Sequence, residues 1–106
     1  MRFYIIGNKD SLSEEYYYAE QWLKLNGNTV INPLNIKIDG IDKEELTQIK
    51  IRLLAFSEGV LVLNNSCDSY ELEYAKSLGK KIKYLSKQWK LRRNESRVLF
   101  NEENMG

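Results

Sequence analysis

The chain has 106 residues, of which 42% are apolar and 29% charged, a balance typical of one soluble globular domain. One cysteine and no histidine exclude an internal disulfide, a histidine-activated nucleophile and a zinc site of the usual kind. A formal net charge of +1 gives no general attraction for nucleic acid. No apolar run approaches the roughly 20 residues that span a membrane, and no signal peptide is evident. We therefore expect a cytoplasmic protein without metal or cofactor, whose chemistry depends on carboxylates, hydroxyls, amides or lysines.

The first part of the chain predicts a strand followed by a helix. Residues 2–6 are β-branched and aromatic, and a polar run beginning at Gly7 ends them. Ser11 and Glu14 resemble a capping box, which predicts a helix from there to about residue 26, with Gly27 just beyond its end. The side chains expected to face the core are Tyr16, Ala19 and Leu23, widened by Tyr18, Trp22 and Leu25.

The middle of the chain repeats this alternation. Residues 29–31 predict a second strand, which Asn32-Pro33 ends, and residues 34–40 predict an irregular loop. Asp42 with Glu45 is a second capping-box pair that opens a helix. The apolar residues at helical spacing in that helix are Leu46, Ile49, Leu53 and Phe56.

A third strand and helix follow. The continuous apolar run 59–63 is typical of a strand buried on both faces. Asp68 with Glu71 forms a third capping-box pair, and the helix it opens ends at Gly79. The expected inward residues of this helix are Leu72, Ala75 and Leu78. Residues 81–85 predict the fourth strand.

Alternating strands and helices predict an α/β fold, a three-layer Rossmann-like (flavodoxin-like) parallel sheet of four or five strands with helices on both faces. We expect residues 1–86 to form this domain and residues 87–106 a C-terminal extension packed on it or extending it, with a short helix at 87–93 and an edge strand at 98–100.

Two polar loops follow strands in this scheme, at residues 7–10 and 64–69. Ligands of open α/β sheets bind beyond the carboxyl ends of the strands, where the strand order reverses. Each loop also leads into a helix N-terminus, which suits a phosphate or a sugar hydroxyl. The chain contains neither glycine-rich nucleotide fingerprint, G-x-G-x-x-G or the P-loop, so the loops alone do not define a substrate.

A more specific pattern runs from Glu71-Leu72 through Tyr74-Ala75 to Gly79-Lys80. It resembles the E-L-x-Y-A-x-x-x-G-K signature of the nucleoside 2-deoxyribosyltransferase superfamily, which includes deoxynucleoside monophosphate N-glycosidases. Residues 3–7, 22–33 and 56–63 are similar to other segments of that superfamily, so the resemblance covers roughly residues 1–85.

The resemblance implies cleavage or transfer of the N-glycosidic bond of a (deoxy)nucleoside or its 5′-monophosphate by a homo-oligomer, since members commonly complete the pocket from a neighbouring chain. It implies Glu71 as the nucleophile, which the helix N-terminus would help to keep ionised. We take Asp68 as the candidate acid for the leaving base. The implied substrate-binding residues are Tyr4, Gly7, Asn8, Glu58, Asn65, Ser66 and Ser69.

Two departures from the family pattern lie in the implied site. Cys67 and Ser69 stand where the family has glycines, and Glu58 stands near the place of a sugar-gripping aspartate. These departures favour an alternative function, a catalytically inactive module that binds or sequesters a nucleotide.

Other interpretations remain open at this point. Glu71 also fits the third position of a capping box, and the two roles are compatible. Tyr16, Tyr17 and Tyr18 could stack on a base, but aromatic residues at helical spacing are more often core. Trp89 and its basic neighbours could contact nucleic acid, although a solvated helix face or a subunit contact is the favoured interpretation.

Overall fold

The computed structural model describes residues 1–8, 10–36, 38–64, 69–86 and 89. Its strands are β1 (Arg2–Ile6), β2 (Thr29–Ile31), β3 (Gly59–Val62) and β4 (Lys81–Tyr84). Its helices are α1 (Ser13–Leu25), α2 (Lys43–Phe56) and α3 (Tyr70–Ser77), with a 3-10 turn at Pro33–Asn35 between β2 and α2. The predicted helix at 87–93, apart from residue 89, and the predicted edge strand at 98–100 lie outside the described residues.

The four strands form one parallel sheet in the order β2-β1-β3-β4. β1 pairs with β2 on one side and with β3 on the other, so the order of the strands reverses between β1 and β3. The predicted Rossmann-like α/β architecture is confirmed. The loops that follow β1 and β3 lie on either side of the reversal, which is where a ligand is expected in this class of sheet.

Alternate residues of β1 face opposite sides of the sheet, and each side carries its own core cluster. Phe3 and Ile5 pack with α1, whereas Tyr4 and Ile6 pack with α2 and α3. The side chains of a strand alternate with a period of two, so the two faces of the sheet have separate cores. One helix, α1, packs on one face, and two helices, α2 and α3, pack on the other. This alternation places the hydroxyl of Tyr4 on the same side as α3.

The ends of the helices agree with the sequence pattern in part. Asp42 caps α2 as predicted, with its side chain accepting a 2.8 Å hydrogen bond from the Glu45 amide. The prediction for α1 was wrong, because the helix is capped at Leu12, whose amide donates to the Glu15 carboxylate at 3.2 Å. Ser11 instead bonds to the turn before the helix.

Three residues predicted to face the core are exposed, namely Leu25, Phe56 and Leu78. Phe56 is 64% exposed at the end of α2, where the guanidinium of Arg2 lies 4.0 Å from the centre of its ring. The fully buried anchor of α2 is Leu54. None of the helices in the described part of the chain is long and apolar enough to cross a membrane.

Candidate functional site: a cavity at the reversal of strand order

A cavity of about 530 Å³ opens at the carboxyl edge of the sheet, on the side covered by α2 and α3. It combines residues from the end of β1, from α1, from the 3-10 turn, from α2 and from the start of α3. Its volume lies in the range typical of small-molecule sites. The residues that line it are Tyr4, Gly7, Asn8, Ser11, Tyr16, Pro33, Leu34, Lys43, Leu46, Thr47, Lys50, Tyr70 and Glu71.

Glu71 is the one acidic side chain among these lining residues. It is the second residue of α3 and only 8% exposed, and its Oε2 accepts a 2.7 Å hydrogen bond from the Tyr4 hydroxyl. Tyr4 reaches it from the middle of β1, 67 positions away in sequence. A buried carboxylate is thus held in a fixed orientation at the wall of the cavity.

Burial raises the pKa of the Glu71 carboxyl, because a carboxylate is less well solvated inside the protein than in water. The hydrogen bond from Tyr4 and the positive charge of Lys50 act in the opposite direction and lower this pKa. The sequence predicts that the start of the helix keeps Glu71 ionised. Its net pKa is above the ordinary value, and Tyr4 and Lys50 are the groups that favour the charged form.

Three tyrosines of the cavity wall are affected by the charge of Glu71, and their hydroxyls stay protonated. Burial and then the nearby Glu71 charge raise the pKa of Tyr4 far above its ordinary value, so its hydroxyl remains a hydrogen-bond donor. The pKa of Tyr16 is raised for the same two reasons, and the pKa of Tyr70 is raised chiefly by burial. Tyr70 is also 54% exposed, so part of its ring is accessible from the cavity.

Asn8 shapes the loop that forms one edge of the cavity. Its amide donates to Ser11 Oγ at 3.0 Å, and its side-chain oxygen accepts from the Asp10 amide at 2.8 Å. These bonds form a tight polar turn before α1, of the kind asparagine favours. The preceding residue, Gly7, lies against the hydroxyl end of the Tyr16 side chain. Tyr16 is therefore a core residue whose hydroxyl reaches the cavity.

The structure brings four sequence-predicted site residues together and leaves others apart. Tyr4, Gly7, Asn8 and Glu71 line the same cavity. Glu58 lies at the opposite, amino edge of the sheet, where its carboxylate accepts from the amide of Arg2 at 3.0 Å. Asn65, Ser66 and Asp68 lie outside the described residues.

Ser69 has a local structural role instead of lining the cavity. Its Oγ accepts a 3.2 Å hydrogen bond from the Leu72 amide and caps α3. The predicted cap at Asp68 was therefore one residue early. Because the cap is Ser69, Glu71 is not the third residue of a capping box, and its carboxylate contacts Tyr4 instead.

Sequence reasoning missed the contribution of α2. Four residues at positions i, i+3, i+4 and i+7 of this helix lie along one wall of the cavity: Lys43, Leu46, Thr47 and Lys50. This spacing is present in the sequence as a mixed polar and apolar stripe. The apolar residues of this stripe indicate a face that packs on the core. Nothing in the local sequence distinguishes its two lysines from lysines that simply face solvent.

A second cavity of about 760 Å³ lies on the other side of the 3-10 turn, and Leu34 lines both cavities. None of the site residues implied by the family resemblance lines it, but Tyr17 and Tyr18, two of the tyrosines considered for base stacking, do. Trp89 forms part of its wall and is only 3% exposed, with its ring centre 5.5 Å from that of Tyr18. Trp89 therefore packs into the core, which fits neither a nucleic-acid contact nor the favoured solvated helix face for this side chain.

Among the residues that the structure describes, no group of three or more Cys, Asp or Glu side chains is arranged to hold a metal ion. The fold and the cavity thus define an α/β protein of the Rossmann-like class with a tyrosine-bound carboxylate at the reversal of strand order.

Comparison with known proteins agrees with this class. The chain belongs to the family described as a domain of unknown function, DUF4406, whose model matches residues 2–84. No curated protein matches the chain. Among solved structures, a 2-deoxyribosyltransferase from Bacillus psychrosaccharolyticus superposes with a TM-score of 0.61 at 15% identity, covering 79% of this chain and 71% of that chain. The predicted deoxyribosyltransferase-like fold is confirmed.

Proposed function

We propose that the protein cleaves or transfers the N-glycosidic bond of a (deoxy)nucleoside or its 5′-monophosphate, with Glu71 as the nucleophile. The observation that carries the proposal is the buried Glu71 carboxylate, held by the Tyr4 hydroxyl at 2.7 Å on the wall of a nucleoside-sized cavity. The fold shared with a 2-deoxyribosyltransferase supports the same reaction class.

The chemistry is that of a retaining glycosyl transfer. An oxygen of the Glu71 carboxylate attacks the anomeric carbon and forms a C–O bond, while the C–N bond breaks and its electron pair leaves with the base. The base takes up a proton from an acid or from water, and we propose Asp68 for this role because it lies close to Glu71 in the sequence. Water or a second base then attacks the same carbon. The carboxylate is released, and the proton of the attacking group passes to solvent.

The cavity walls suit the other parts of such a substrate. Tyr70 presents a partly exposed ring directly beside Glu71, where it can pack against a base. Asn8 and Ser11 supply polar groups at the edge formed by the first loop. We propose that these groups orient the sugar and the base around the carboxylate.

Ser69 favours a second candidate function, a module that binds a nucleotide without cleaving it. The hydroxyl of Ser69 caps α3 at a place where the resembling family has glycine, so a side chain is present where backbone would approach the sugar. Such a module would use the same cavity. Turnover is therefore the property that separates the two candidates.

We also propose that the protein forms a homo-oligomer. The support in the structure is the exposed ring of Phe56 and several half-buried apolar residues of α2. Light scattering coupled to gel filtration would show a mass above 12.5 kDa if this is right and the monomer mass if it is not.

Base release is the direct test of the proposed reaction. The protein is incubated with deoxynucleosides, ribonucleosides and their 5′-monophosphates, with and without an acceptor base, and free base is quantified by chromatography. We expect release from at least one substrate. Dependence on the acceptor would identify a transferase, and release without it a hydrolase. Binding without release from any substrate would support the non-catalytic module.

Tyr4→Phe is expected to shift the pH dependence of this activity. The substitution removes the hydrogen bond that lowers the pKa of Glu71 and leaves the effect of burial in place, so that pKa rises further. The nucleophile must be ionised, so the acid limb of the pH–rate profile should move to higher pH.

The measurement for Tyr4→Phe is kcat/KM between about pH 4 and 9, since this ratio reports the free enzyme. Tyr84→Phe is the matched control, because Tyr84 is exposed on β4 and its substitution should leave the profile unchanged. An acid limb of Tyr4→Phe that coincides with that of the wild type would contradict the role assigned to the hydrogen bond.

A further inference from the structure

We infer that Lys50 and Lys43 form an anion subsite, so that the protein selects a substrate carrying a phosphate over the corresponding unphosphorylated nucleoside. This inference rests on the proposed function, because it concerns the same cavity. It adds phosphorylated nucleosides as the preferred substrate class and two residues, Lys43 and Lys50, that determine this preference.

The first step is the placement of the two lysines on one wall. Lys43 and Lys50 are seven residues apart on α2, which is two turns or about 10 Å along the helix axis. Both line the cavity, with Leu46 and Thr47 between them. This wall thus has positive charge at two heights, one half-buried at Lys50 and one exposed at Lys43.

The second step is the charge balance inside the cavity. Glu71 is the one acidic residue among the lining residues that the structure describes, against the two lysines. Lys50 acts on Glu71 electrostatically, but within the described chain neither Lys43 nor Lys50 forms a salt bridge. Lys24 and Lys76, on the outer surfaces of α1 and α3, do pair with a neighbouring carboxylate on their own helix.

The third step is the chemistry of the ligand that would complete this balance. A neutral nucleoside has no charged group that could pair with the ammonium groups of Lys43 and Lys50. A phosphate offers two negative charges and several acceptor oxygens, and charge-assisted hydrogen bonds to them are stronger than neutral ones. With the anomeric carbon at Glu71, a 5′-phosphate on the same sugar can reach the cavity wall that carries Lys50, a lysine that already acts on Glu71.

Lys50 is expected to contribute more than Lys43. Lys50 is half-buried, so its interaction with an anion is less screened by water. Lys43 is exposed and lies in the first turn of α2 beside Asp42, Glu44 and Glu45, whose charges weaken the local positive potential. The two substitutions should therefore affect affinity in the same direction but by different amounts.

The competing explanation is that Lys50 serves only to keep Glu71 ionised. In that case a substitution of Lys50 would reduce turnover of every substrate equally, whether or not it carries a phosphate. An anion subsite instead predicts a loss confined to phosphorylated ligands. Binding measured in a background that cannot turn over separates the two explanations.

The experiment uses Glu71→Gln as that background and compares it with the same protein carrying Lys50→Gln, Lys43→Gln or Lys76→Gln. The probes are the four common 2′-deoxynucleoside 5′-monophosphates, the four unphosphorylated deoxynucleosides and inorganic phosphate, each titrated calorimetrically. Lys76→Gln is the matched control, because Lys76 is an exposed lysine of α3 outside the cavity.

We expect at least one monophosphate to bind about tenfold or more tightly than its nucleoside, with this preference lost in Lys50→Gln, reduced in Lys43→Gln and retained in Lys76→Gln. Competition by inorganic phosphate at millimolar concentration would indicate an independent phosphate site within the cavity.

Equal affinity for monophosphate and nucleoside, or a preference that Lys50→Gln and Lys43→Gln leave intact, would overturn the inference. The proposed function can fail separately. Lysine-dependent binding of a monophosphate together with no base release by the wild type would retain the anion subsite and reject the reaction. Base release with no preference for phosphorylated ligands would support the reaction and reject the anion subsite.

Discussion

Replacing Glu71 with glutamine is expected to abolish base release, by a factor of about 10³ or more, and at the same time to stabilise the folded protein at neutral pH. Glutamine has nearly the same shape and keeps an oxygen that can accept the hydrogen bond from Tyr4, but it is neutral and a poor nucleophile. The two effects have opposite signs, which a purely structural role for Glu71 would not produce.

The sign of the stability effect follows from the pKa of Glu71. Burial raises this pKa in the folded protein above its unfolded value, so the folded state holds the proton more tightly. The contribution to stability is therefore full below the unfolded pKa and is lost as the pH rises through the folded pKa. Above that point the wild type carries an ionised carboxylate in a poorly solvated place, and the neutral glutamine avoids this cost.

We expect Glu71→Gln to raise the free energy of unfolding by about 1 kcal/mol at pH 7 to 8, or several degrees in Tm for a chain of this size. The gain should shrink as the pH is lowered, because the wild-type carboxyl becomes protonated too. Urea unfolding at a series of pH values measures it. Glu73→Gln is the control, since Glu73 is exposed on the same helix beside Lys76 and should show no comparable gain.

A loss of stability in Glu71→Gln at neutral pH that disappears as the wild-type carboxyl becomes protonated would show that the charged form of Glu71 stabilises the fold. That result would make Glu71 a structural residue whose charge is needed by α3 or Lys50. Retained base release in a folded Glu71→Gln protein would instead reject its role as nucleophile while leaving the cavity as a binding site.

The sheet could be predicted from the sequence because its signals are local and mutually consistent. The run 59–63 is apolar throughout, and it contains β3, one of the two central strands, which is buried along its whole length. Gly27 has a φ of 82° immediately after the end of α1, as its position predicted. Once strands and helices alternate, parallel order and the position of the ligand edge follow from general rules of connection.

The site was predictable only in part, because its decisive contact is long-range. Local spacing suggested that Glu71 bonds backbone at Asp68, whereas its partner is a tyrosine on β1. Family resemblance identified Tyr4 and Glu71 separately. Their contact depends on the register of β1 against β3 and on the face of β1 from which the Tyr4 side chain projects. Neither can be inferred from one of the two segments alone.

The contribution of α2 was missed for a related reason. An apolar periodicity indicates which side of a helix faces the core. In α2 several positions are only half-buried, so the periodicity does not define the orientation of the helix about its axis narrowly. Leu54 is the buried anchor, and Phe56, two residues later, points outward to Arg2. This rotation of the helix brings Lys43 and Lys50 to the cavity wall, and it is set by packing against the sheet and α3.

Gly7→Ala is expected to destabilise the protein by about 1 to 3 kcal/mol, the range for overfilling a well-packed site. A Cβ at this position would overlap Tyr16 Oη, lie 2.5 Å from Tyr16 Cζ and approach Leu63 Cδ1 to 3.1 Å. Tyr16 belongs to α1 and is buried against the sheet, so its ring cannot move aside freely. The requirement for glycine here is one of space and not of backbone conformation. Gly27 is the opposite case, because its φ is positive and a Cβ there would meet no atom of the described residues within 4 Å.

A double-mutant cycle tests this cause. In a Tyr16→Phe background the overlapping oxygen is absent while the ring carbon remains, so Gly7→Ala should cost measurably less there, with a coupling of about 0.5 kcal/mol or more. In a Tyr17→Phe background the cost should equal that in the wild type, because Tyr17 is exposed on another face of α1. Urea unfolding of the six proteins gives all the required differences. Equal costs in the two phenylalanine backgrounds would mean that the Tyr16 hydroxyl is not what excludes a side chain at position 7, and the contacts with the Tyr16 ring carbon and with Leu63 would then be the remaining causes.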